Sequence, residues 1–419
     1  MPQRERNILV YADWENRSEP SLMGIFSAIQ IGGKEIFSFD YETNWLKNAS
    51  IQLDPDLQFY AGRQFLQEEK LNFGIFMDSS PDRWGRLLMR RREAALARKE
   101  QRKEAFLFET DYLLGVYDQH RMGAMRFKTE ESSTFQNDNK AMAAPPFTSL
   151  RELEQASLRL EDEDSPDAPE YLQWLNMLMA PGSSLGGARP KASVIDTSKN
   201  LWIAKFPSKY DDKNVGAWEK VTHELALQSG INMADAFIEK YGNRNYTFVT
   251  KRFDRIRENR IHFASAMTLL GYTDGTDYQD GISYLALAEF ILRNGNQVED
   301  DLEELWRRIV FSIYVSNTDD HLRNHGFLLT SKGWQLSPAY DINPNENGSG
   351  LKLNITENNN ALEIDLVMEI APFFRIKSEK AKEINENIKQ IVKHWRSTAN
   401  KYQISRNEQE LMIRAFQQV

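Results

Sequence analysis

The sequence predicts an α+β fold in which a strand-rich first part is followed by a mainly helical second part. Short segments that alternate apolar and polar residues, the pattern of half-buried strands, are concentrated before residue 256. From residue 264 onward the apolar residues recur mostly at helical spacing. With 419 residues, 41% of them hydrophobic, the chain is long enough for two or three hydrophobic cores.

Residues 1–130 predict a mixed α/β subdomain. The segments ILVYAD, IFSAIQI and EIFSFDY predict strands, and residues 83–103 predict a basic amphipathic helix. Residues 131–147 are polar, contain two consecutive prolines and predict a linker.

The distribution of charge limits the kinds of partner. A formal net charge of −9 argues against strong nonspecific binding of nucleic acid by the whole surface. The exception is residues 83–103, which contain nine Lys or Arg. Because Glu93, Glu100 and Glu104 reduce its charge, a solvated helix face is favoured over a DNA-binding or partner-binding surface.

The cysteine content and the lengths of the apolar segments indicate the cellular compartment of the protein. The chain has no cysteine, which excludes disulfides and thiolate zinc sites and fits a reducing cytoplasm. The N-terminal segment MPQRERNILVYADW lacks the apolar core of a signal peptide. No apolar run approaches the roughly 18 residues of a membrane-spanning helix. We therefore expect a cytoplasmic protein that does not bind membranes.

Residues 148–255 predict a small lobe that contains a loop suited to phosphate. Residues 148–163 predict a helix, and the segment PGSSLGGARPKAS follows at residues 181–193. Its glycines permit close approach of the backbone to a phosphate, and unshielded N–H groups can form an anion nest. Arg189 and Lys191 are the cations of this loop that a phosphate group could contact. The composition fits a simple flexible loop as well.

A lysine on a short strand follows this loop. Residues 201–206, LWIAKF, predict an apolar strand that carries Lys205, in a context similar to the phosphate-binding lysine of kinases. Residues 215–229 predict a helix that stops at Gly230. Either Glu219 or Glu224 of this helix could pair with Lys205, although charged residues of strands and helices commonly face water.

The segment SNTDDHLRNHGFLL, residues 316–329, is the most informative part of the chain. Asp319 stands five residues before Asn324, and Asp341 follows two short apolar runs. Protein kinases use this order: the first Asp accepts the hydroxyl proton, and the Asn and the later Asp hold magnesium through oxygen atoms. The pattern therefore predicts a protein-kinase-like, two-lobed fold, with the small lobe at 148–255 and a helical C-terminal lobe at 256–419.

Two other interpretations of this segment stay open. The octapeptide NTDDHLRN is also typical of a polar turn. His321 and His325 are spaced like zinc ligands, but Leu322 occupies the position where the zincin pattern has Glu.

Taken in order, these segments resemble the HipA family of serine/threonine kinases, which are toxins of bacterial toxin–antitoxin modules. The resemblance covers nearly the whole chain and is weaker in the N-terminal part, where GIFMDSSPDRWGRLL and LLGVYDQHRMGAMRF carry it. It implies a kinase that uses ATP and Mg²⁺, a HipB-like DNA-binding antitoxin as partner, and contact with operator DNA mainly through that antitoxin. It also implies a protein substrate, such as an aminoacyl-tRNA synthetase, and growth arrest as the result.

The same resemblance assigns roles to individual residues. In the loop it implies an autophosphorylated serine at Ser184, with Ser183 as an extra neighbour, and phosphate contacts at Gly186 and Gly187. The ATP lysine is Lys205 in IAKFP, its acidic partner is Glu219 in WEKVTHELALQSGI, and the adenine-contacting hinge is TKRFDR with Lys251 and Phe253. NTDDHLRN and AYDI supply the base Asp319, the loop histidine His321 and the metal ligands Asn324 and Asp341.

Two positions depart from the family pattern. Asp320 stands where the family often has glycine, and an extra acid there could adjust metal charge or substrate choice. The Arg189-Pro190 pair makes the loop stiffer.

Two further functions compete with a protein kinase. Small-molecule kinases carry a similar Asp, Asn, Asp order, but the serine-containing loop and the N-terminal subdomain argue against that class. A non-catalytic nucleotide-binding module is the other alternative. The intact Lys205, Asp319, Asn324 and Asp341 argue against it.

Overall fold

The computed structural model describes residues 5–14, 19–67, 69–162, 165–179, 187, 189–242, 244–257 and 259–418. The chain divides into two compact units. The first comprises Met1–Lys209 with Asp254–Ala264, and the second comprises Tyr210–Phe253 with Ser265–Val419. The domain limits predicted from the sequence, 1–130, 131–147, 148–255 and 256–419, stay a prediction.

The first unit contains a five-stranded antiparallel sheet, whose strands run in the spatial order β4-β3-β2-β1-β5. Its strands are β1 (Glu5–Ala12), β2 (Ser21–Ile31), β3 (Lys34–Tyr41), β4 (Gln64–Phe65) and β5 (Met125–Thr129). Alternate residues of β1, namely Ile8, Val10 and Ala12, are fully buried, as the two-residue period of a strand requires. The three strands predicted in this region are confirmed.

Six helices accompany this sheet in the part of the unit that the structure describes. They are α1 (Thr43–Asn48), α2 (Gly74–Asp78), α3 (Arg83–Lys99), α4 (Glu109–Gly115), α5 (Leu150–Leu160) and α6 (Tyr171–Leu178). Helix α3 is the predicted basic helix. It begins at Arg83 because the Asp82 carboxylate accepts a hydrogen bond of 2.8 Å from the amide of Gly85 and so caps the first turn.

Many basic side chains of residues 83–103 make polar contacts inside this unit. Their polar contacts include Arg86 to Glu109, Arg91 to the Leu160 carbonyl, Arg92 to Asn176, Arg98 to the Pro166 carbonyl and Arg102 to Glu93. These contacts attach α3 to α4, to the end of α5 and to α6, so several basic side chains of the predicted solvated face are bonded within the unit.

A β-hairpin completes the described part of the first unit after the glycine-containing loop. Strand β6 (Lys191–Ile195) pairs antiparallel with β7 (Leu201–Lys205), with Lys191 opposite Lys205. The Asp196 carboxylate closes the connection by accepting hydrogen bonds from the amides of Ser198 and Asn200. The strand predicted to carry Lys205 is confirmed.

The second unit is mainly helical, as the sequence predicts. Up to the catalytic segment, the remaining elements of the chain in sequence order are α7 (Val215–Gln228), β8 (Ala236–Glu239), β9 (Thr247–Lys251), β10 (Arg255–Ile256), β11 (Asn259–Arg260), β12 (Phe263–Ser265), α8 (Ala266–Leu269), α9 (Tyr284–Asn294) and α10 (Val298–Tyr314). After it come β13 (Gly326–Thr330), β14 (Gly333–Leu336), α11 (Ile364–Ile370), α12 (Ser378–Val392), α13 (Trp395–Lys401) and α14 (Arg406–Met412). Of these elements, β10, β11 and the first two residues of β12 lie in the first unit.

Helix α10 forms the centre of the second unit. Trp306, Phe311 and Tyr314 are at most 1% exposed, which confirms that this aromatic stripe is core. The predicted α+β class is likewise confirmed. Within the described residues, none of the helices combines the length and apolar character that crossing a membrane requires.

Candidate active site

The candidate catalytic loop begins where α10 ends. Ser316 has a φ of 49°, in the left-handed region, and this reverses the chain after Tyr314. The loop then passes through a 3₁₀ turn at Leu322–Asn324 and enters β13. Asn317 fixes the turn because its amide donates a hydrogen bond of 2.8 Å to the Ser312 carbonyl.

The two adjacent acids of this loop point in opposite directions. Asp319 is exposed, whereas Asp320 is only 5% exposed. The Tyr284 hydroxyl donates a hydrogen bond of 2.7 Å to Asp320, and His325 Nε2 lies 3.2 Å from Asp320 Oδ1. Asp320 therefore holds the loop against Tyr284 of α9 and against His325. Its burial does not support the expectation that this acid adjusts the charge at a metal.

The environment of Asp320 favours its ionised form. Burial on its own would raise the pKa of Asp320, but the proximity of His325 and the hydrogen bond from Tyr284 outweigh it and lower that pKa. Asp320 is thus expected to stay a carboxylate that accepts both contacts.

Asn324 presents an unpaired oxygen. Its side-chain Nδ2 donates a hydrogen bond of 3.0 Å to the Asp319 carbonyl, which fixes the amide plane. The other end of the amide, Oδ1, is buried and has no hydrogen-bond partner among the described residues. A buried acceptor without a partner is costly, so this oxygen has the character of a ligand atom.

The segment around Asp341 is fixed by four hydrogen bonds inside the second unit, and two of them join it to the catalytic loop. The Tyr340 hydroxyl donates to the Arg323 carbonyl at 2.7 Å, and the Thr222 hydroxyl donates to the Ile342 carbonyl at 2.6 Å. The backbone amides of Ala339 and Asn343 donate to the Asn232 carbonyl and to Asn317 Oδ1, at 2.7 and 3.1 Å. Asp341 itself has a φ of 57°, a left-handed conformation that is uncommon outside glycine and that these contacts maintain.

Asn343 is a site residue that the sequence interpretation missed. Its Nδ2 donates a hydrogen bond of 3.0 Å to Asp341 Oδ1, and its Oδ1 is buried with no partner in the described part of the chain. The signal in the sequence was an amide residue two positions after the second acid, but a single Asn in a loop is also an ordinary turn residue.

Helix α7 carries the two candidate acids for Lys205. Glu219 is 5% exposed. Glu224 instead receives hydrogen bonds from Lys401 Nζ, at 2.7 and 3.0 Å, and from the Tyr402 hydroxyl. Burial would raise the pKa of Glu224, but these bonds outweigh it and lower that pKa. The Glu224 carboxylate is thus engaged by α13, and Glu219 is the better candidate.

Of the two proposed hinge residues, Phe253 lies near the second acid. The ring of Phe253 packs on that of Tyr340, the residue before Asp341, with 5.6 Å between the ring centroids. Lys251 lies in β9, and its Nζ is 3.8 Å from Asp235 Oδ2. The second unit therefore brings together Asp319, His321, Asn324, Asp341 and Phe253.

The first unit holds Gly187 and Lys205. Gly187 has a φ of 94°, and a Cβ there would lie 3.2 Å from Lys191 Nζ, so both conformation and space favour glycine. Lys205 lies across the hairpin from Lys191. Ser183, Ser184 and Gly186 lie outside the described residues.

Lys191 differs from its expected role as a loop cation. Its Nζ forms an ion pair of 2.7 Å with Asp82, and both side chains are only 4% exposed. The same Nζ lies 3.2 Å from the Gly187 carbonyl oxygen, and the Trp84 indole donates to the Lys191 carbonyl. Lys191 therefore attaches the end of the loop to the start of α3.

A comparison with protein families identifies the family of this chain. Residues 183–397, just over half of the chain, match the model of the HipA-like C-terminal domain. The chain belongs to the HipA family. The matched region contains all the residues discussed above as catalytic, metal-binding or nucleotide-binding.

Curated relatives match a smaller part of this HipA-family chain. A Haemophilus influenzae protein provisionally named a kinase is 26% identical over 179 residues, which cover 38% of this chain and 52% of the relative. The serine/threonine-protein kinase toxin HipA of Shewanella oneidensis is 25% identical over 191 residues, covering 39% of this chain and 43% of the toxin. The chain thus spans about half the length of the curated relatives it matches.

The fold is similar over a larger extent. The complex of Shewanella oneidensis HipA with HipB and operator DNA includes a chain with a TM-score of 0.63 to this one at 16% sequence identity. The similarity covers 98% of this chain and 95% of that one, so the α+β, HipA-like fold extends beyond the region matched by the family model.

Proposed function

We propose that this chain is an ATP- and magnesium-dependent kinase that phosphorylates serine or threonine of a protein target. The observation that carries the proposal is the arrangement of the exposed Asp319 beside Asn324, whose buried Oδ1 has no partner among the described residues, with the Asp341 segment bonded to the same loop. Family membership and the serine/threonine kinase name of the Shewanella relative support it.

The donor set suits magnesium. Asn324 Oδ1 and the Asp341 carboxylate are oxygen ligands, which hard divalent cations prefer. Magnesium bound with ATP would neutralise charge on the phosphates. Asn324 and Asp341 would hold it, since the Nδ2 contact to the Asp319 carbonyl keeps the Asn324 oxygen turned away from the loop backbone.

Asp319 is proposed as the general base. Its exposure leaves the carboxylate accessible to a substrate hydroxyl, whose proton it would accept as the phosphoryl group is transferred. The resemblance supports Lys205 as the residue that holds the α- and β-phosphates, Glu219 as its acidic partner, and the segment with Lys251 and Phe253 as the adenine contact. Catalysis would then rest mainly on positioning and electrostatics.

The cellular role follows from the family. We propose that the chain acts as a toxin on a protein of translation, such as an aminoacyl-tRNA synthetase, that it autophosphorylates at Ser184, and that a HipB-like DNA-binding antitoxin restrains it. The HipB and operator DNA of the similar Shewanella complex support an antitoxin partner and contact with DNA through it. The contacts of the α3 arginines within their own unit are consistent with indirect contact to DNA.

Calorimetry of ATP binding tests the nucleotide site. Wild-type protein should bind ATP in the presence of Mg²⁺ and lose affinity when EDTA is added. Asp341→Ala should lose the metal-dependent part of the binding, because it removes the only carboxylate in the proposed ligand set. Asp365→Ala, at the first turn of α11, is a matched control and should bind like wild type. Wild-type protein that binds no nucleotide with magnesium would contradict the kinase proposal.

A further inference from the structure

Asn343 places a second unpaired amide oxygen at the candidate metal site. Its Oδ1 and that of Asn324 are both buried without a hydrogen-bond partner among the described residues. An unpaired buried acceptor typically costs about 1–3 kcal/mol, and such groups in folded proteins usually indicate an absent water or ion. Both unpaired oxygens lie on the segments that carry the proposed metal ligands, so a single absent cation would account for both.

The orientation of the Asn343 amide is determined by its neighbour. Nδ2 lies 3.0 Å from Asp341 Oδ1. The reversed amide would put two oxygen acceptors at that distance, which is unfavourable next to a carboxylate. Because Oδ1 and Nδ2 are bonded to the same carbon, the unpaired oxygen lies next to the Asp341 carboxylate.

The backbone of Asn343 is fixed as well. Its amide donates to Asn317 Oδ1, and Asn317 is 1% exposed at the end of α10. The preceding carbonyl, that of Ile342, accepts from the Thr222 hydroxyl. The side chain therefore starts from a position set by two elements of the core, which is the support that a metal ligand needs.

We infer that Asn343 is a further metal-binding residue, whose Oδ1 supplies a third protein oxygen for the divalent cation held by Asp341. The inference rests on the proposed function, since it concerns the cation of the ATP complex. A neutral amide oxygen adds a ligand without adding charge. The Nδ2 contact at the same time fixes the orientation of the Asp341 carboxylate, so one side chain would both bind the cation and position its neighbour.

Mn²⁺ is a suitable probe because it is paramagnetic and accepts the same oxygen ligands as Mg²⁺. The full-length chain is mixed with Mn²⁺ and a non-hydrolysable ATP analogue. The affinity is measured from the free Mn²⁺ signal in electron paramagnetic resonance. The number of water ligands on the bound ion is measured from line broadening in ¹⁷O-enriched water. Thermal melts confirm that each variant is folded.

Three variants distinguish a direct role of Asn343 as a metal ligand from a role in positioning Asp341. Asn343→Ala should weaken Mn²⁺ binding by about tenfold or more and add one water ligand, because water replaces the lost oxygen. Asn343→Asp keeps an oxygen and should add no water. Asn347→Ala, an exposed asparagine in the same segment, should match wild type in both measurements.

The outcomes distinguish this inference from the proposed function. Asn343→Ala with unchanged affinity and water count would overturn the inference and leave the kinase proposal standing. Reduced affinity without an added water, or an added water in Asn343→Asp, would mean that Asn343 only positions Asp341, and this also overturns it. Wild-type protein that binds no Mn²⁺ with the analogue would overturn both.

Discussion

The hydroxyl of Thr222 donates a hydrogen bond of 2.6 Å to the carbonyl oxygen of Ile342. Thr222 lies in α7, one turn after Glu219, and Ile342 directly follows Asp341. The helix that carries the proposed partner of Lys205 is thus bonded directly to the segment that carries the proposed metal ligand. Thr222 is fully buried, so this contact is shielded from competing water.

Thr222→Val should remove the hydrogen bond between these two segments while preserving the shape of the side chain. The Ile342 carbonyl would lose its shortest donor, at an expected cost of about 1–3 kcal/mol in the free energy of unfolding. Metal-dependent ATP affinity should fall as well, because the conformation of Asp341 depends on this segment. Urea unfolding and ATP calorimetry measure the two effects.

Thr222→Ser is the matched control because it keeps the hydroxyl. It should retain wild-type metal-dependent affinity, apart from the small effect of a lost methyl group on stability. If Val and Ser variants bind ATP equally well in the presence of magnesium, the contact has no role in the site.

Asp320→Asn should destabilise the chain by about 1–3 kcal/mol at neutral pH, since a buried charged acceptor for Tyr284 and His325 is lost. The pKa of Asp320 is lowered in the folded state. The ionised carboxylate therefore stabilises the folded state fully at pH values above the pKa of Asp in the unfolded chain, which is about 4. This stabilisation is lost as the pH falls through the lower pKa of Asp320 in the folded state.

The difference in unfolding free energy between wild type and Asp320→Asn should consequently be largest above about pH 4 and shrink at lower pH. Urea unfolding from pH 3 to pH 8 tests this. Tyr284→Phe, which removes one of the contacts, should show a smaller loss. An Asp320→Asn variant as stable as wild type at pH 7 would mean that Asp320 does not anchor the loop.

The ion pair between Lys191 and Asp82 should behave as a buried structural contact. Lys191→Met leaves the Asp82 carboxylate buried without its cation and should cost about 3–5 kcal/mol in unfolding free energy. Asp82→Asn keeps an acceptor for the Gly85 amide and so preserves the cap of α3. The double variant should lose less than the sum of the single losses, by about 0.5–3 kcal/mol. Additive losses in a double-mutant cycle would show that the two residues act independently.

Autophosphorylation should occur at Ser184, with Ser183 as a second acceptor. A phosphoserine carries about −1.5 to −2 charge and would compete with the γ-phosphate for the N–H groups of the same loop, so ATP affinity should fall after the reaction. Mapping the phosphate after incubation with ATP and Mg²⁺, in wild type, Ser183→Ala and Ser184→Ala, measures this. Asp319→Asn is the inactive control. If an external substrate is phosphorylated while both serines stay unmodified, self-inactivation at this loop is ruled out.

The periodicity of apolar residues made much of the fold predictable, and the spacing of polar residues suggested part of the candidate site. The strand at Leu201–Lys205, the helix at Val215–Gln228 and the buried stripe of α10 follow from local periodicity, which the structure confirms. The spacing of Asp319, Asn324 and Asp341 made this segment the candidate catalytic loop, because phosphoryl transfer uses those residue types in that order, and the roles of these residues stay a prediction.

The remaining features depend on contacts between residues far apart in sequence. Asp320 and Asp319 are neighbours with opposite exposure, and the hydrogen bond from Tyr284, 36 residues earlier, is not visible in the local sequence. Lys191 appeared to be a loop cation because its partner Asp82 is 109 residues away. Asn343 was missed for a related reason, since the unpaired state of its oxygen is visible only in the folded chain.

The central claim is that this chain transfers phosphate to protein serine or threonine with Asp319 as the base. Quantitative phosphopeptide mass spectrometry of cells that express the wild-type chain or Asp319→Ala tests it most directly. We expect phosphoserine or phosphothreonine peptides of a target protein to appear only with the wild-type chain, since loss of a positioned base costs about 10² to 10⁴ in rate. Indistinguishable phosphopeptides in the two cultures, at equal expression of folded protein, would contradict the account.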